Sequence, residues 1–292
     1  MIKTYIYDTI LSKLDILHEI KLKGDLSYMK YKMISMDFDG TLLTSNKKVT
    51  DKNKNVLLKY KKDNYIIVGI TARNFSSVNN VCDIDMFNYL ILNNGAYIYD
   101  VKNKDGINLN SVDKNIAIKI TNYFEKIADE IQFCSLNKYY TYKKNSKDRR
   151  SFFQRVEDIS EIEETICRMN IFFIDDNEIN KYKEYIEKTF ENIDVIVMSD
   201  TDNKSNKKWL TLNHKNMNKF DTLKKLCLKL DISTDEVIFF GDGANDLSII
   251  SQVGLGVAME NALEEVKNKA KEITLSNDED GIAYFLENYN NI

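Results

Sequence analysis

Residues 33–42 read MISMDFDGTL, a short apolar run followed by two aspartates, a glycine and a threonine. The apolar run predicts a buried strand. Alternate residues of a strand point to the same side, so Asp37 and Asp39 should leave its end into the same space. Clustered carboxylates repel one another and lose hydration on burial, which favours a metal ion or a shared proton between them. By itself the pattern fits a turn or a helix N-cap equally well, because aspartate and glycine favour both.

A second acidic cluster decides between these interpretations. Residues 241–246 read GDGAND and follow an apolar strand at 237–240. The segment begins like the dinucleotide fingerprint G-x-G-x-x-G, but it ends on Asp246, and two acids there would repel a bare pyrophosphate. Both clusters follow predicted parallel strands, whose carboxyl ends form the sites of open α/β sheets. If the two strands are neighbours, a set of four carboxylates converges and suits a hard divalent cation such as Mg²⁺: Asp37, Asp39, Asp242 and Asp246.

Strand and helix patterns alternate along the first part of the chain. Nearly continuous apolar strands at 65–70 and 89–92, with a predicted helix at 50–63, indicate a parallel sheet covered on both faces. The pattern then changes. A hairpin at 96–109 leads into a block with predicted helices at 113–131, 159–168 and 178–190 and strands at 171–174 and 194–198.

The first pattern resumes after a polar linker at 199–206, with a strand at Trp209–Leu212 and a helix at 218–230. We therefore expect an α/β fold with a doubly wound, mostly parallel core sheet and a second α/β unit inserted within it. The expected divisions are an N-terminal helical extension at 1–30, a core at 31–111 and 208–292, and the inserted unit at 112–207.

Composition excludes several classes of protein. The 292 residues carry a net charge of −4, so no overall basic field indicates nucleic acid or an anionic membrane as partner. The four cysteines form no C-x-x-C pair, which argues against a zinc site and a disulfide framework. No apolar run reaches the length of a membrane span, and charged residues interrupt the first thirty residues where a signal peptide would need an apolar core. These features predict a cytoplasmic protein.

Two further strand ends supply complementary groups. Thr71 offers a hydroxyl and nearby N–H groups that suit phosphate oxygens, and Lys219 at the start of a predicted helix offers a positive charge. Each residue alone also fits an ordinary role, as a cap and as a solvated surface lysine. Their placement at the same sheet edge favours the functional interpretation.

These residues together resemble the haloacid dehalogenase-like hydrolase superfamily, and in particular its Cof-type branch, whose Rossmann-like core carries an inserted α/β cap (subclass IIB). The resemblance covers about residues 32 to 290. Two departures concern loop glycines: Ala72 and Phe220 stand where the branch commonly has glycine. The motifs that carry the resemblance are 37–43 (DFDGTLL), 70–73 (ITAR), 93–96 (NNGA), Lys219, 241–246 (GDGAND) and 257–262 (VAMENA).

The resemblance implies a role for each motif residue. Asp37 would attack phosphorus to give an aspartyl-phosphate, and Asp39 would protonate the leaving alkoxide and then activate water. Mg²⁺ would be held by the Asp37 side chain, the Asp39 backbone carbonyl and Asp242, with Asp246 a ligand or a support. The residues implied to hold the phosphoryl group are Gly40, Thr41, Thr71, Arg73, Lys219 and Asn245.

The expected function is hydrolysis of small phosphomonoesters, such as sugar or cofactor phosphates, by a monomer or weak homo-oligomer whose partner is a small phosphorylated metabolite. The inserted cap should close over the site, and its basic run at 143–150 is either a solvated loop or an attractor for a second anionic group. A phosphotransferase or phosphosugar mutase of the same superfamily is the alternative. A catalytically idle binding module is a third possibility, which the intact set of acids and Lys219 disfavours.

Overall fold

The computed structural model describes residues 30–108, 110–142, 153–199, 207–215 and 217–289. The predicted N-terminal helix, the basic run at 143–150 and nearly all of the linker at 199–206 lie outside the described residues. Within the described part, the chain forms an eight-stranded sheet and a six-stranded sheet.

The strands follow one another along the chain in this order: β1 (Met33–Met36), β2 (Ile66–Ile70), β3 (Tyr89–Leu92), β4 (Tyr97–Asp100), β5 (Asp105–Asn108), β6 (Ala128–Ser135), β7 (Tyr139–Tyr142), β8 (Phe153–Val156), β9 (Ile166–Phe173), β10 (Ile193–Ser199), β11 (Lys208–His214), β12 (Val237–Gly241), β13 (Leu255–Ala258) and β14 (Glu272–Ile273). The helices are α1 (Asp51–Lys62), α2 (Phe75–Asn79), α3 (Lys114–Phe124), α4 (Ile179–Thr189), α5 (Lys219–Lys229), α6 (Leu247–Ile250), α7 (Glu264–Lys267) and α8 (Gly281–Asn288).

The first sheet has the order β14-β13-β12-β1-β2-β3-β4-β5. Its pairs are parallel from β14 through β3, and only the β3–β4 and β4–β5 pairs are antiparallel. Strands β1 and β12 are buried along their whole length, as expected for central strands with helices on both faces. The predicted mostly parallel α/β core is confirmed. Because β1 pairs directly with β12, the two acidic motifs leave neighbouring strands at the same edge.

The second sheet has the order β10-β11-β9-β6-β7-β8 and carries its own buried cluster, which includes Ile131, Phe133 and Ile171. Strand β11 pairs antiparallel with β9 and β10. The strand expected in the core sheet at Trp209–Leu212 therefore belongs to the second sheet. A strand pattern marks one buried face but does not identify the sheet that the strand joins. We therefore propose that the inserted unit extends to about residue 215.

Helix lengths in the second unit also differ from expectation. The helix predicted at 113–131 ends at Phe124, and residues from Ala128 onward form β6, where Ile131 and Phe133 follow a period of two. The helix predicted at 159–168 is a single 3₁₀ turn at Ile159–Glu161, closed by a capping box from Asp158. Residues from Ile166 onward then form β9, so the apolar spacing of this segment was misassigned to a helix. In the core, the helix expected near 261–271 covers only Glu264–Lys267.

No helix in the described ranges is both long enough and apolar enough to cross a membrane.

Candidate active site

Three of the four predicted acids meet at the end of β1 and β12. Asp37 directly follows β1, and its N–H donates to the carbonyl of Phe240 at 3.0 Å, which joins it to the neighbouring strand. Asp37, Asp242 and Asp246 each place one carboxylate oxygen within 4.8 Å of the others. The parallel pairing of the two strands thus brings together groups that lie some two hundred residues apart in sequence.

Lys219 supplies the positive charge of this cluster. Its ammonium group donates to Asp37 Oδ1 at 2.5 Å and to Asp246 Oδ1 at 2.8 Å, and the side chain is only 2% exposed. Lys219 is the first residue of α5, whose N-cap Asn218 accepts a hydrogen bond from the N–H of Asp221 at 2.7 Å. Lys219, which taken alone also fitted a solvated surface lysine, is therefore buried among carboxylates.

Electrostatics in the cluster follow from this burial. Burial raises the pKa of Asp37 to about 7; Lys219 opposes the shift and Asp246 adds to it. Burial lowers the pKa of Lys219, but the adjacent Asp37 and Asp246 outweigh this effect and raise it overall. Burial also raises the pKa of Asp242, although a hydrogen bond from Thr41 opposes the rise.

Asp246 fixes the loop that carries Asp242. Its Oδ2 accepts hydrogen bonds from the N–H groups of Asp242 and Gly243, both at 3.1 Å, while its Oδ1 is bonded to Lys219. Both oxygens of Asp246 therefore have partners inside the protein. Asp242 accepts from the Thr41 hydroxyl at 2.7 Å through Oδ1 only. Carboxylate oxygens are the ligands that Mg²⁺ prefers, so Asp37 and Asp242 fit a hard cation, and Asp246 orients the loop that carries Asp242.

The turn at Gly40 and Thr41 closes tightly over Asp242. Gly40 has φ +83°, and a Cβ at this position would overlap Asp242 Oδ2, so both the backbone conformation and the space require glycine. The N–H of Thr41 already donates to Phe38 O at 3.3 Å. Asn261 donates to the Gly40 carbonyl at 2.8 Å and so holds the turn. This positioning role of Asn261 was not predicted, although the residue lies in the quoted 257–262 motif.

Asp39 points away from the other three acids. Arg73 binds it through two hydrogen bonds, Nε to Oδ2 at 2.7 Å and Nη2 to Oδ1 at 2.8 Å, and Lys47 adds a third at 2.8 Å. The hydrogen bonds from Arg73 are the main reason that the pKa of Asp39 falls to about 2. Arg73, expected to hold a phosphoryl group, is thus paired with Asp39. The contact of Lys47 with Asp39 was not predicted, because no motif includes Lys47. A metal contact through the Asp39 carbonyl stays a prediction.

The remaining predicted residues take different positions. Thr71 is buried; its hydroxyl oxygen accepts from the N–H of Arg73 at 3.1 Å, and its hydroxyl proton is left to donate. Asn245 lies exposed in the turn after β12, and its side chain makes no hydrogen bond to another described residue. Its predicted role at the phosphoryl group stays a prediction.

A protein-family model described as haloacid dehalogenase-like hydrolase matches residues 34–286. The chain belongs to this family. As a haloacid dehalogenase-like hydrolase, it carries the acidic cluster, Lys219 and the Gly40 turn within the matched span. Both acidic motifs that predicted a site lie within the matched span.

Relatives of this hydrolase match over nearly their full length. The chain is 28% identical to the stress response protein YhaX of Bacillus subtilis, over 89% of this chain and 94% of that protein. It is 27% identical to the 5-amino-6-(5-phospho-D-ribitylamino)uracil phosphatase YcsE of the same organism, over 88% of this chain and 95% of that protein.

Solved structures share the fold. A haloacid dehalogenase-like hydrolase from Bacteroides thetaiotaomicron superposes with a TM-score of 0.73 at 25% identity, covering 88% of this chain and 99% of that one. A sugar phosphatase of subclass IIB superposes with a TM-score of 0.67 at 20% identity, covering 89% and 100%. The predicted fold, a Rossmann-like core with an inserted α/β unit, is confirmed.

Proposed function

We propose that this hydrolase is a Mg²⁺-dependent phosphatase that releases phosphate from small phosphomonoesters, such as sugar or cofactor phosphates. One observation carries the proposal: the buried Asp37 carboxylate is 2.5 Å from the Lys219 ammonium group and beside Asp242. A carboxylate fixed next to a cation can attack a phosphorus atom while the same cation neutralises the phosphoryl oxygens. The relative YcsE, named as a phosphatase of a phosphorylated metabolite, supports the same substrate class.

Asp37 is the nucleophile in this proposal. One of its oxygens forms a bond to phosphorus while the bond between phosphorus and the leaving oxygen breaks, which leaves the phosphoryl group on Asp37. A water molecule then attacks the phosphorus and gives a proton to Asp39, the bond between phosphorus and the Asp37 oxygen breaks, and phosphate leaves with the Asp37 carboxylate regenerated. Lys219 and the Thr71 hydroxyl hold the phosphoryl oxygens during both steps.

A bound Mg²⁺ would supply further positive charge to the phosphoryl oxygens. Asp37 and Asp242 would hold it, since their oxygens belong to the acidic cluster and Asp246 is occupied by Lys219 and two backbone N–H groups. Thr41 fixes the rotamer of Asp242 through its 2.7 Å hydrogen bond.

Asp39 is the proton carrier in this proposal. An alkoxide is a poor leaving group and requires a proton, and Asp39 lies two residues after the nucleophile. In the present arrangement Asp39 is ionised and paired with Arg73 and Lys47. It can donate a proton only after these partners release it, because an ionised carboxylate accepts hydrogen bonds but donates none. A substrate phosphoryl group competing for Arg73 would provide that release.

We further propose that the protein works in the cytoplasm, as a monomer or weak homo-oligomer. The four cysteines are all free, which fits a reducing compartment.

The test is phosphate release from p-nitrophenyl phosphate with and without Mg²⁺, compared with transfer to an added sugar phosphate. Asp37→Asn should lower phosphate release at least about 1,000-fold, since it removes the nucleophile and leaves the shape of the side chain. Asp51→Asn, an exposed aspartate in the first turn of α1, is the matched control and should keep normal turnover. Normal turnover of Asp37→Asn, or turnover that EDTA does not reduce, would overturn the proposal.

A further inference from the structure

The junction between the two sheets contains a cluster of buried polar atoms that lack hydrogen-bond partners. The described part of the chain has seven such side-chain atoms, and two of them, on Asn53 and Thr121, lie elsewhere. The other five belong to the junction: Asn74 Nδ2, Asn93 Nδ2, Asn94 Oδ1, Arg168 Nε and Asn213 Oδ1. Buried polar atoms are nearly always bonded, so a group of five at one place points to a ligand.

Strand register brings these atoms together. Cys134 of β6 pairs with Arg168 of β9, and the pairing of β9 with β11 ends at Met169 and Leu212, so Arg168 and Asn213 are the next residues of these two strands. From the core side, Asn93 Oδ1 accepts a hydrogen bond from the Cys134 thiol at 3.0 Å. Thus Asn93 and Arg168 both adjoin Cys134, and Asn213 follows at the same end of the neighbouring strand.

The junction adjoins the residues that hold the phosphoryl group. The N–H of Asn93 donates to the carbonyl of Arg73, and the N–H of Asn94 donates to that of Thr71, both at 3.0 Å. Thr222, in the first turn of α5 that begins at Lys219, donates to the Gly95 carbonyl at 2.8 Å. The loop that carries Asn93 therefore lies between the Thr71 loop and the start of α5, on the side where the second sheet approaches.

The unpaired atoms at the junction include both hydrogen-bond donors and hydrogen-bond acceptors. Asn93 and Arg168 present donors, whereas Asn213 presents an acceptor in a side chain that is only 5% exposed. The next row on the same face of the second sheet continues in polar residues: Thr211 donates to Asn170 at 2.9 Å, and Gln132 and Thr141 donate to Glu130.

Formal charge is balanced among the residues of this face that the structure describes. Glu130 and Arg168 carry opposite charges, and the exposed Arg155 is paired with Glu157. A second phosphate or carboxylate on the substrate would upset this balance. Hydroxyl groups keep the charge balance because they are neutral. Each hydroxyl can also pair with an orphaned donor or an orphaned acceptor, since it both donates and accepts.

We propose that Asn93, Arg168 and Asn213 form the subsite for the leaving group, and that this subsite takes a neutral, polyhydroxylated chain. The inference rests on the phosphatase activity proposed above, and it assigns specificity to these three residues. They bind the part of the substrate that departs and do not take part in the chemical steps.

Asn213→Leu separates this role from simple packing. Because Asn213 Oδ1 is buried without a hydrogen-bond partner, removing it relieves a desolvated polar atom, and the variant should remain folded with little loss of stability. The same change should remove a contact to the leaving group. Thr121→Val is the matched control, since it removes the other orphaned polar atom of the second unit, in α3, away from the junction. Arg168→Met is a second variant that removes the donor of the subsite.

The probes are p-nitrophenyl phosphate, glycerol 3-phosphate, ribitol 5-phosphate and sorbitol 6-phosphate, assayed by phosphate release. The wild-type kcat/KM should rise with the length of the alditol. In Asn213→Leu and Arg168→Met the values for the long alditols should fall roughly 10-fold or more, and the loss on p-nitrophenyl phosphate should be smaller, because its leaving group has no hydroxyl chain for these residues to bind. Thr121→Val should change none of the four.

Three outcomes would overturn the subsite while leaving the phosphatase intact: no dependence on alditol length in the wild type, an unchanged dependence in both variants, or equal losses on p-nitrophenyl phosphate and alditols. Failure of the wild type to hydrolyse any of the four probes would instead contradict the proposed function.

Discussion

The ammonium group of Lys219 lies 2.5 Å from Asp37 Oδ1, although the two residues are 182 positions apart in the sequence. Lys219 is also 2.8 Å from Asp246, whose side chain is fully buried. One buried cation thus joins the end of β1, the loop after β12 and the start of α5. The same contact neutralises the acidic cluster and positions a charge for a phosphoryl group.

Replacing Lys219 by methionine should destabilise the protein. The variant leaves Asp37 and Asp246 buried without their cation, and breaking a buried ion pair from one side costs about 3 to 5 kcal/mol. The free energy of unfolding, measured in urea with EDTA present, reports this loss. Lys224→Met is the matched control, because Lys224 lies on the same helix but is 49% exposed; it should change stability by less than about 0.5 kcal/mol. Equal effects of the two variants would contradict the account of the cluster.

Thr41→Val should weaken binding of the metal more than it weakens the fold. The change keeps the shape of the side chain but removes the 2.7 Å hydrogen bond that orients Asp242. We expect about a 10-fold loss in Mg²⁺ affinity, as is typical when a group that orients a metal ligand is removed. Calorimetric titration of Mg²⁺ measures this affinity without relying on turnover. Thr41→Ser retains the hydroxyl and should bind Mg²⁺ nearly as the wild type does; a similar loss in both variants would exclude the hydrogen bond as the cause.

Asp39→Ala should lower kcat/KM by an amount that depends on the leaving group of the substrate. Alkyl phosphates require a proton on the departing oxygen, whereas p-nitrophenolate leaves without one. We expect kcat/KM to fall at least about 100-fold for glycerol 3-phosphate and much less for p-nitrophenyl phosphate. Equal losses on the two substrates would show that Asp39 serves structure or metal binding and does not carry the proton.

The thiols of the folded protein should react slowly. Burial raises the pKa of Cys82 and Cys167 to about 12 and that of Cys227 to about 11. The thiolate is the reactive form, so raising these pKa values lowers its fraction at any pH below them. Modification by Ellman's reagent should accelerate about tenfold per pH unit between about pH 7 and pH 9. In guanidinium chloride all four thiols should react far faster; equal rates in the folded and unfolded protein would contradict the assigned burial.

The sequence was sufficient to predict the central strands of the core sheet, because the apolar runs that indicate these strands are local signals. The apolar runs before Asp37 and Asp242 predicted buried parallel strands, and the rule that sites form at their carboxyl ends brought the acids together. Burial of Lys219 and the hydrogen bonds from Arg73 to Asp39 could not be predicted, since both depend on how separate loops pack. The same limit explains the misplaced strand at Trp209–Leu212, whose pattern contains no information about its pairing partner.

The roles of the subsite residues Arg168 and Asn213 could not be predicted from the sequence. Arg168 falls where a helix had been expected, and Asn213 belongs to the strand that was assigned to the wrong sheet. Only the register of β6, β9 and β11 places both near Asn93.

Trapping the phosphorylated aspartate tests most directly whether Asp37 is the nucleophile. Enzyme turning over substrate with Mg²⁺ is quenched and reduced with borohydride, which converts an aspartyl-phosphate to homoserine, and the peptides are sequenced by mass spectrometry. We expect homoserine at position 37 in the wild type and none in Asp37→Asn. Steady turnover with no homoserine at position 37, or with homoserine at another aspartate, would contradict it.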